Sequence, residues 1–150
     1  MRLARFIAAG CGTGYAPVAA GTVASAAATV TGGLFLLVSP WMLVAMALLA
    51  TIGGYLAVKR ASVEGDPGWV VIDEFAGQWI TLLALTRPTI TGLVGGFVLF
   101  RLFDITKLGP VGWADRRHGV FGIMADDVIA GLIAAALLLT LRLWWPELSL

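Results

Sequence analysis

A chain of 150 residues that is 59% hydrophobic and only 13% charged cannot cover a water-facing surface of ordinary size, because soluble domains carry about 25% charged residues. A mean hydropathy of +0.93 points the same way, to a protein solvated by lipid. The net charge of +1 supplies no field that would draw the chain to nucleic acid, and the lone cysteine, Cys11, allows no internal disulfide framework.

The first nine residues set Arg2 and Arg5 among apolar neighbours, a pattern that suits a short amphipathic helix on the membrane surface and equally a frayed terminus. The apolar run before Cys11 is too short for a signal peptide, so Cys11 reads as a small structural residue. Segment 10–21, GCGTGYAPVAAG, is rich in glycine and nearly free of charge. Two readings stand for it. Glycines admit a ligand close to the backbone and helix N-termini favour anions, which suits a re-entrant phosphate-binding loop. Small residues, continued in Ala24, Ser25 and Ala26, equally suit close helix packing.

Five apolar stretches follow, at 22–38, 41–58, 70–86, 89–103 and 128–145. A spanning helix needs about 20 mainly apolar residues. The predicted fold is therefore all-α: a single membrane-embedded domain over 1–150, with about five transmembrane or half-spanning helices behind an interfacial or re-entrant N-terminal segment. Stretch 89–103 is the shortest and reads as spanning or half-spanning. Ser39-Pro40 and Arg87-Pro88 mark tight turns, since proline turns the preceding residue away from helix. Longer polar segments occupy 59–69 and 107–126. The alanine runs at 26–28 and 134–136 suit packing within one chain or between two, which leaves the oligomeric state open.

With the N-terminus inside and five spans, Arg2, Arg5, Lys59, Arg60, Lys107, Arg116 and Arg117 fall on the cytoplasmic side, and Arg101 lies near it. Arg87 and Arg142 fall outside. That bias predicts an N-in, C-out chain. Eight of the nine acids, all but Glu147, then gather at the inner face.

Five of these acids sit at helix ends: Asp73 and Glu74 at the start of the third stretch, Asp104 at the end of the fourth, Asp126 and Asp127 at the start of the fifth. A helix dipole favours an acid in a first turn. It does not explain two adjacent acids twice over in a chain so poor in charge. Ionisable groups in membrane segments are costly and usually functional. An all-carboxylate site suits magnesium or manganese, and one cysteine with one histidine leaves little for zinc. Arg101 is three residues before Asp104 and shares its helix face, Lys107 follows, and Arg116, Arg117 and His118 precede Asp126. Guanidinium forks match phosphate, although positive-inside placement accounts equally for Arg116 and Arg117.

Other phosphatase chemistries lack their residues. Pro17 stands where a cysteine nucleophile would need arginine, Thr106 breaks an Asp-x-Asp pattern after Asp104, and His118 has no second histidine. Were the chain a hydrolase, a metal-and-carboxylate mechanism would remain; the residues themselves point to a phosphate or cation site at the inner membrane face. The rival from another class is a small ion-coupled transporter using the same acids, but the predicted outer halves hold little beyond Thr and Ser to form a conduit.

The strings GTGYAPVAAGTVAS, DPGWVVIDEFAGQWIT, FRLFDITKLGP and HGVFGIMADDVIAG, which cover much of the chain, resemble the bacterial phosphatidylglycerophosphatase A family in order and spacing. The resemblance implies a magnesium-dependent enzyme of the bacterial inner membrane, active at its cytoplasmic face, that hydrolyses phosphatidylglycerophosphate to phosphatidylglycerol and inorganic phosphate. It implies a catalytic and metal-binding set of Asp73, Glu74, Asp104, Asp126 and Asp127. Arg101 and Lys107 match the family's basic positions, and Gly12, Pro17, Gly21, Thr22 and Ser25 match its N-terminal loop. The expected substrate-binding set is Gly12, Gly21, Thr22, Ser25, Arg101, Lys107, Arg116 and His118, and the expected partners are a phospholipid of the inner leaflet and the membrane. The chain departs from the family pattern at Ala20, Ala24, Leu108 and Gly119-Val120, and its spacing from Asp115 to His118 is one residue short.

Overall fold

The computed structural model describes residues 1–63, 65, 67–148 and 150; Glu64 and Asp66, two of the acids assigned to the inner face, lie outside the described residues. The architecture is all-α. Helix α1 (Arg2–Ala8) leads into a 3-10 stretch (Gly10–Tyr15) and then α2 (Ala20–Val38). Helix α3 (Pro40–Leu48) continues through a π turn (Leu49–Gly53) into α4 (Gly54–Arg60), followed by α5 (Ile72–Leu82), α6 (Ile90–Thr106), α7 (Pro110–Asp115) and α8 (Val120–Trp144). A last 3-10 turn covers Pro146–Leu148.

Three of these helical rods are long and apolar enough to cross a membrane: Ala20–Val38, Pro40–Arg60 and Val120–Trp144. Their outer faces expose residues such as Val30, Leu34, Leu37, Ile52, Leu132 and Leu143, an apolar coat that suits lipid rather than water. Helix α5, at 11 residues, is shorter than its expected stretch, and α6, at 17, runs three residues past the end of its own; both fall short of the about 20 residues of a spanning helix.

The proline breaks fall where the sequence places them. Ser39 caps α3, its hydroxyl accepting from the Trp41 amide at 3.1 Å, and Pro40 fills the first helical position, where no amide is needed. Thr89 caps α6 by accepting from the Gly92 amide at 3.1 Å. Helix α5 stops at Leu82, four residues short of the expected end. The turn before Pro88 begins early, and Arg142 of α8 donates to the Ala84 carbonyl at 2.6 Å, satisfying a backbone group that further helix would have used.

Two expectations need correction. The fifth apolar stretch begins at Val120, eight residues before position 128, so Asp126 and Asp127 do not open that helix but stand in its second turn. Glycines and two acids thin the apolar pattern there, yet the acids face inward and the helix runs on through them. The polar segment 107–126 also holds a short helix, α7, behind Pro110. At the N-terminus Arg2–Ala8 forms a helix, α1, whose Ala8 carbonyl accepts from the Val71 amide at 2.9 Å, which ties it to the start of α5.

Helix α5 is the centre of the bundle. Gln78, Thr81, Ala76 and Leu82 are fully buried. Trp79 donates its indole N–H to the Ala28 carbonyl of α2 at 2.9 Å and packs edge-on against Phe35 and Phe75. On the other side α5 and α8 meet backbone to backbone. A Cβ on Gly77 would lie 2.5 Å from the Asp127 carbonyl oxygen, and one on Gly131 would lie 2.9 Å from the Gly77 Cα. Only residues without a side chain allow helices so close.

Candidate metal and phosphate site

The Gly77–Gly131 contact sets the site. Each glycine follows an acid by four residues, one helical turn: Asp73 on α5 and Asp127 on α8. Where the two backbones touch, the two acids one turn away must approach as well. Oxygens of Asp73, Glu74 and Asp127 come within 4.8 Å of one another, in a grouping able to hold a divalent cation. Asp73 and Asp127 are buried, and Glu74 is mostly so.

Helix α6 brings the cations. Arg101 pairs with Asp104 one turn later and points its two terminal nitrogens at Ser25 Oγ and Thr22 Oγ1 of α2, each at 3.4 Å. Lys107 ends the helix in the left-handed region, with φ +50°. That turn carries its ammonium to Asp104 at 3.2 Å, Asp126 at 2.5 Å and Asp115 at 3.5 Å. Burial alone would lower the Lys107 pKa. The hydrogen bond and charge of Asp126, with the charges of Asp127 and Asp104, outweigh that and hold it above its ordinary value. Lys107 therefore stays a cation throughout the physiological range.

These residues line one cavity of about 340 Å³, with Ala20, Gly21, Gly68, Val70 and Ile105. All five acids of the expected set and both expected cations are among its walls. Five carboxyl groups face two cations, so three of them have no cation of the chain to pair with. Asp104 and Asp126 are the ion-paired members. The remaining trio is the one grouped for a cation. Glu74 Oε2 and Arg101 Nε are buried with no partner among the described residues, an acceptor and a donor available to a cation and an anion respectively. The donor set is all oxygen, so the residues fit a hard divalent ion.

The remaining expected residues divide. Gly21 lines the cavity, and a Cβ there would fall onto the Glu74 carboxylate. Thr22 and Ser25 reach the site through Arg101. Gly12 is not among the cavity's walls; it holds a left-handed turn, φ +105°, while Gly10 and Gly14 beside it press on Val71, Phe75 and the Trp69 carbonyl. His118 lines a second polar cavity of about 360 Å³ with Asp115, Arg117, Gly119 and Gly122, and this cavity shares Asp126 with the first. Arg116 is exposed and lines neither.

The family model for Phosphatidylglycerophosphatase A matches residues 6–142. The chain belongs to the phosphatidylglycerophosphatase A family. Phosphatidylglycerophosphatase A of Escherichia coli (strain K12) is 40% identical over 145 residues, covering 93% of this chain and 84% of that protein. The Haemophilus influenzae protein of the same name is 36% identical, covering 92% of this chain and 88% of its own length. A Bacteroides thetaiotaomicron protein described as a candidate phosphatidylinositol-3-phosphatase is 34% identical, with 91% of each chain covered. No solved structure matches the chain.

Sequence reasoning passed over Gln78. It is fully buried one turn below Glu74, and both ends of its amide lack a partner among the described residues. Leaving such a group unpaired costs about 1–3 kcal/mol. Gln78→Met keeps the length and removes the polar atoms, so it is expected to raise the melting temperature and retain the activity of this family member. A thermal melt beside a turnover assay checks both; a lower melting temperature means that the amide has partners within the bundle.

Proposed function

We propose that the protein is a magnesium-dependent phosphatidylglycerophosphatase of a bacterial inner membrane, with its site toward the cytoplasm. The observation that carries this reading is the buried trio Asp73, Glu74 and Asp127 beside two fixed cations, in a chain of this family. Family membership also sets aside the ion-coupled transporter. The basic residues at the site end of the bundle, Lys59, Arg60, Lys107, Arg116 and Arg117, support the cytoplasmic orientation. Short α5 and α6 act as embedded helices that bring their polar ends to the depth of the lipid headgroups.

The two kinds of acid have different work. Asp73, Glu74 and Asp127 would hold the magnesium, which supplies charge neutralisation at the phosphoryl group. Asp104 and Asp126 hold Arg101 and Lys107 in place, and those cations face the non-bridging phosphate oxygens. Water adds to phosphorus, the P–O bond to glycerol breaks, and the glycerol oxygen leaves with a proton as phosphatidylglycerol. Inorganic phosphate is the other product. A carboxylate of the trio acts as the base toward that water, or attacks phosphorus first as the glycerol oxygen leaves, after which water cleaves the acyl phosphate to free carboxylate and inorganic phosphate. Thr22 and Ser25 orient Arg101 from α2.

The test is phosphate release in detergent micelles, with magnesium and with excess chelator, from phosphatidylglycerophosphate and from phosphatidylinositol 3-phosphate. Release from the first lipid that needs magnesium is expected. Preference for the inositol lipid would overturn the assigned substrate, and no release from either with any divalent metal would overturn the hydrolase.

A further inference from the structure

The carboxylate cavity lies at one end of a seam between α2 and α6. Farther along that seam is an apolar groove of about 320 Å³, walled by Ala26, Thr29 and Val30 of α2 and by Leu93, Val94 and Phe97 of α6. Groove and cavity share helix stripes. On α6, Val94, Phe97, Arg101 and Asp104 recur at three- and four-residue steps, so a single stripe passes from the groove into the cavity. On α2, Ala26 and Thr29 share a stripe with Thr22, whose hydroxyl meets Arg101.

Arg101 stands at the junction, with its guanidinium 3.4 Å from Thr22 Oγ1 and from Ser25 Oγ, and with one face in the cavity. Along the seam the chemistry is therefore an apolar wall, then a guanidinium with two hydroxyls, then carboxylates grouped for a cation. A phospholipid phosphomonoester has the matching order: acyl chain, anionic headgroup, terminal phosphate.

A second apolar groove, between α4 and α8, lacks this order of chemistry. It is walled by Ile52, Tyr55, Phe121, Met124 and Val128 among others, and none of its walls belongs to the carboxylate cavity. Met124 stands three residues before Asp127, so on α8 this groove too leads toward the acids, but it meets a carboxylate with no guanidinium or hydroxyl between.

We propose that the α2–α6 groove seats one acyl chain of the phospholipid substrate, which enters sideways from the bilayer along this seam and presents its headgroup past Arg101. The inference rests on the lipid phosphatase reading above and adds the path and the chain-binding subsite to it.

Ala26→Trp and Val30→Trp both fill the groove from exposed positions, where an added ring meets lipid rather than core. Ala125→Trp fills the other groove. Each is assayed on phosphatidylglycerophosphate with hexadecanoyl chains and with butanoyl chains. The two α2 variants are expected to raise KM for the long-chain lipid about tenfold more than for the short-chain one, the factor carried by lost burial of about two methylenes. Ala125→Trp is expected to move neither. Equal effects on both lipids, or a chain-length effect from Ala125→Trp instead, would overturn the proposal. Binding is read independently of turnover with a long-chain lipid carrying a photoreactive diazirine midway along one chain. Labelling of α2 and α6 around Ala26 and Val94 is expected, and labelling confined to 121–128 contradicts it. Wild-type protein inactive on both lipids would sink the phosphatase reading alone, because the labelling still decides which groove takes the chain.

Discussion

Asp127→Asn is expected to lower magnesium-dependent phosphate release by about a thousandfold or more while leaving the protein folded. Removal of one well-placed electrostatic group at a reacting centre costs about 10²–10³ in rate, and here the same change also removes one of three grouped ligands. Asparagine has the shape of aspartate, so the backbone contact between α5 and α8 is kept. It lacks the charge, and Asp127 is a buried carboxylate with no ion pair among the described residues. In chelator the variant should therefore melt at or above the wild-type temperature, because a buried carboxyl group without a counter-ion has gone. Magnesium should raise the melting temperature of the wild type, since an ion that binds the folded state alone stabilises it by about 2.7 kcal/mol at a hundred times its Kd. The variant should lose that response. Full turnover with an unchanged magnesium requirement would remove Asp127 from the site. Lost turnover with an undiminished magnesium-induced shift would instead make it the base or nucleophile and leave the ion to Asp73 and Glu74.

Much of this site could be read from the sequence because charge is so scarce in it. Nine acids in 150 residues, with five of them at the ends of apolar stretches, left few places for chemistry. Arg101 and Lys107 were legible for the same reason. The extent of α8 was not, because hydropathy treats an inward-facing acid as if it met lipid, and the Gly122 to Asp127 region looks like a loop on that scale. The split between paired and unpaired acids was also hidden. It depends on Lys107 taking a left-handed turn that swings its ammonium from α6 to Asp126, and no spacing rule announces a lysine with φ +50°. Gln78 drew no notice because one amide in an apolar helix has no partner in sequence to flag it. The glycine four residues after Asp73, and again after Asp127, was the visible signal left unused.

That repeated spacing leads to the second large effect. Gly131→Ala adds one methyl group, and the site has no room for it: the new Cβ would lie 2.9 Å from both the Cα and the carbonyl carbon of Gly77, and closer still to its oxygen. Those atoms are backbone, so no rotamer change relieves the clash and the helices themselves must part. Overpacking of this kind costs about 1–3 kcal/mol. Gly95→Ala on α6 is the matched control, because its Cβ would meet Leu138 at an ordinary 3.8 Å. There the helix gains the propensity difference between alanine and glycine, about 1 kcal/mol. Opposite shifts in melting temperature are thus expected from the same chemical change. The effect on catalysis should exceed the loss of stability, since Asp73 and Asp127 sit one turn from the displaced contact on separate helices. A displacement of about 1 Å at such groups can cost a hundredfold in rate. Gly131→Ala should therefore show weaker magnesium binding and a turnover about a hundredfold lower at a temperature where most of the protein is still folded. Unchanged magnesium affinity in that folded fraction would mean that the α5–α8 backbone contact does not set the spacing of the carboxylates, and that α6 holds them instead.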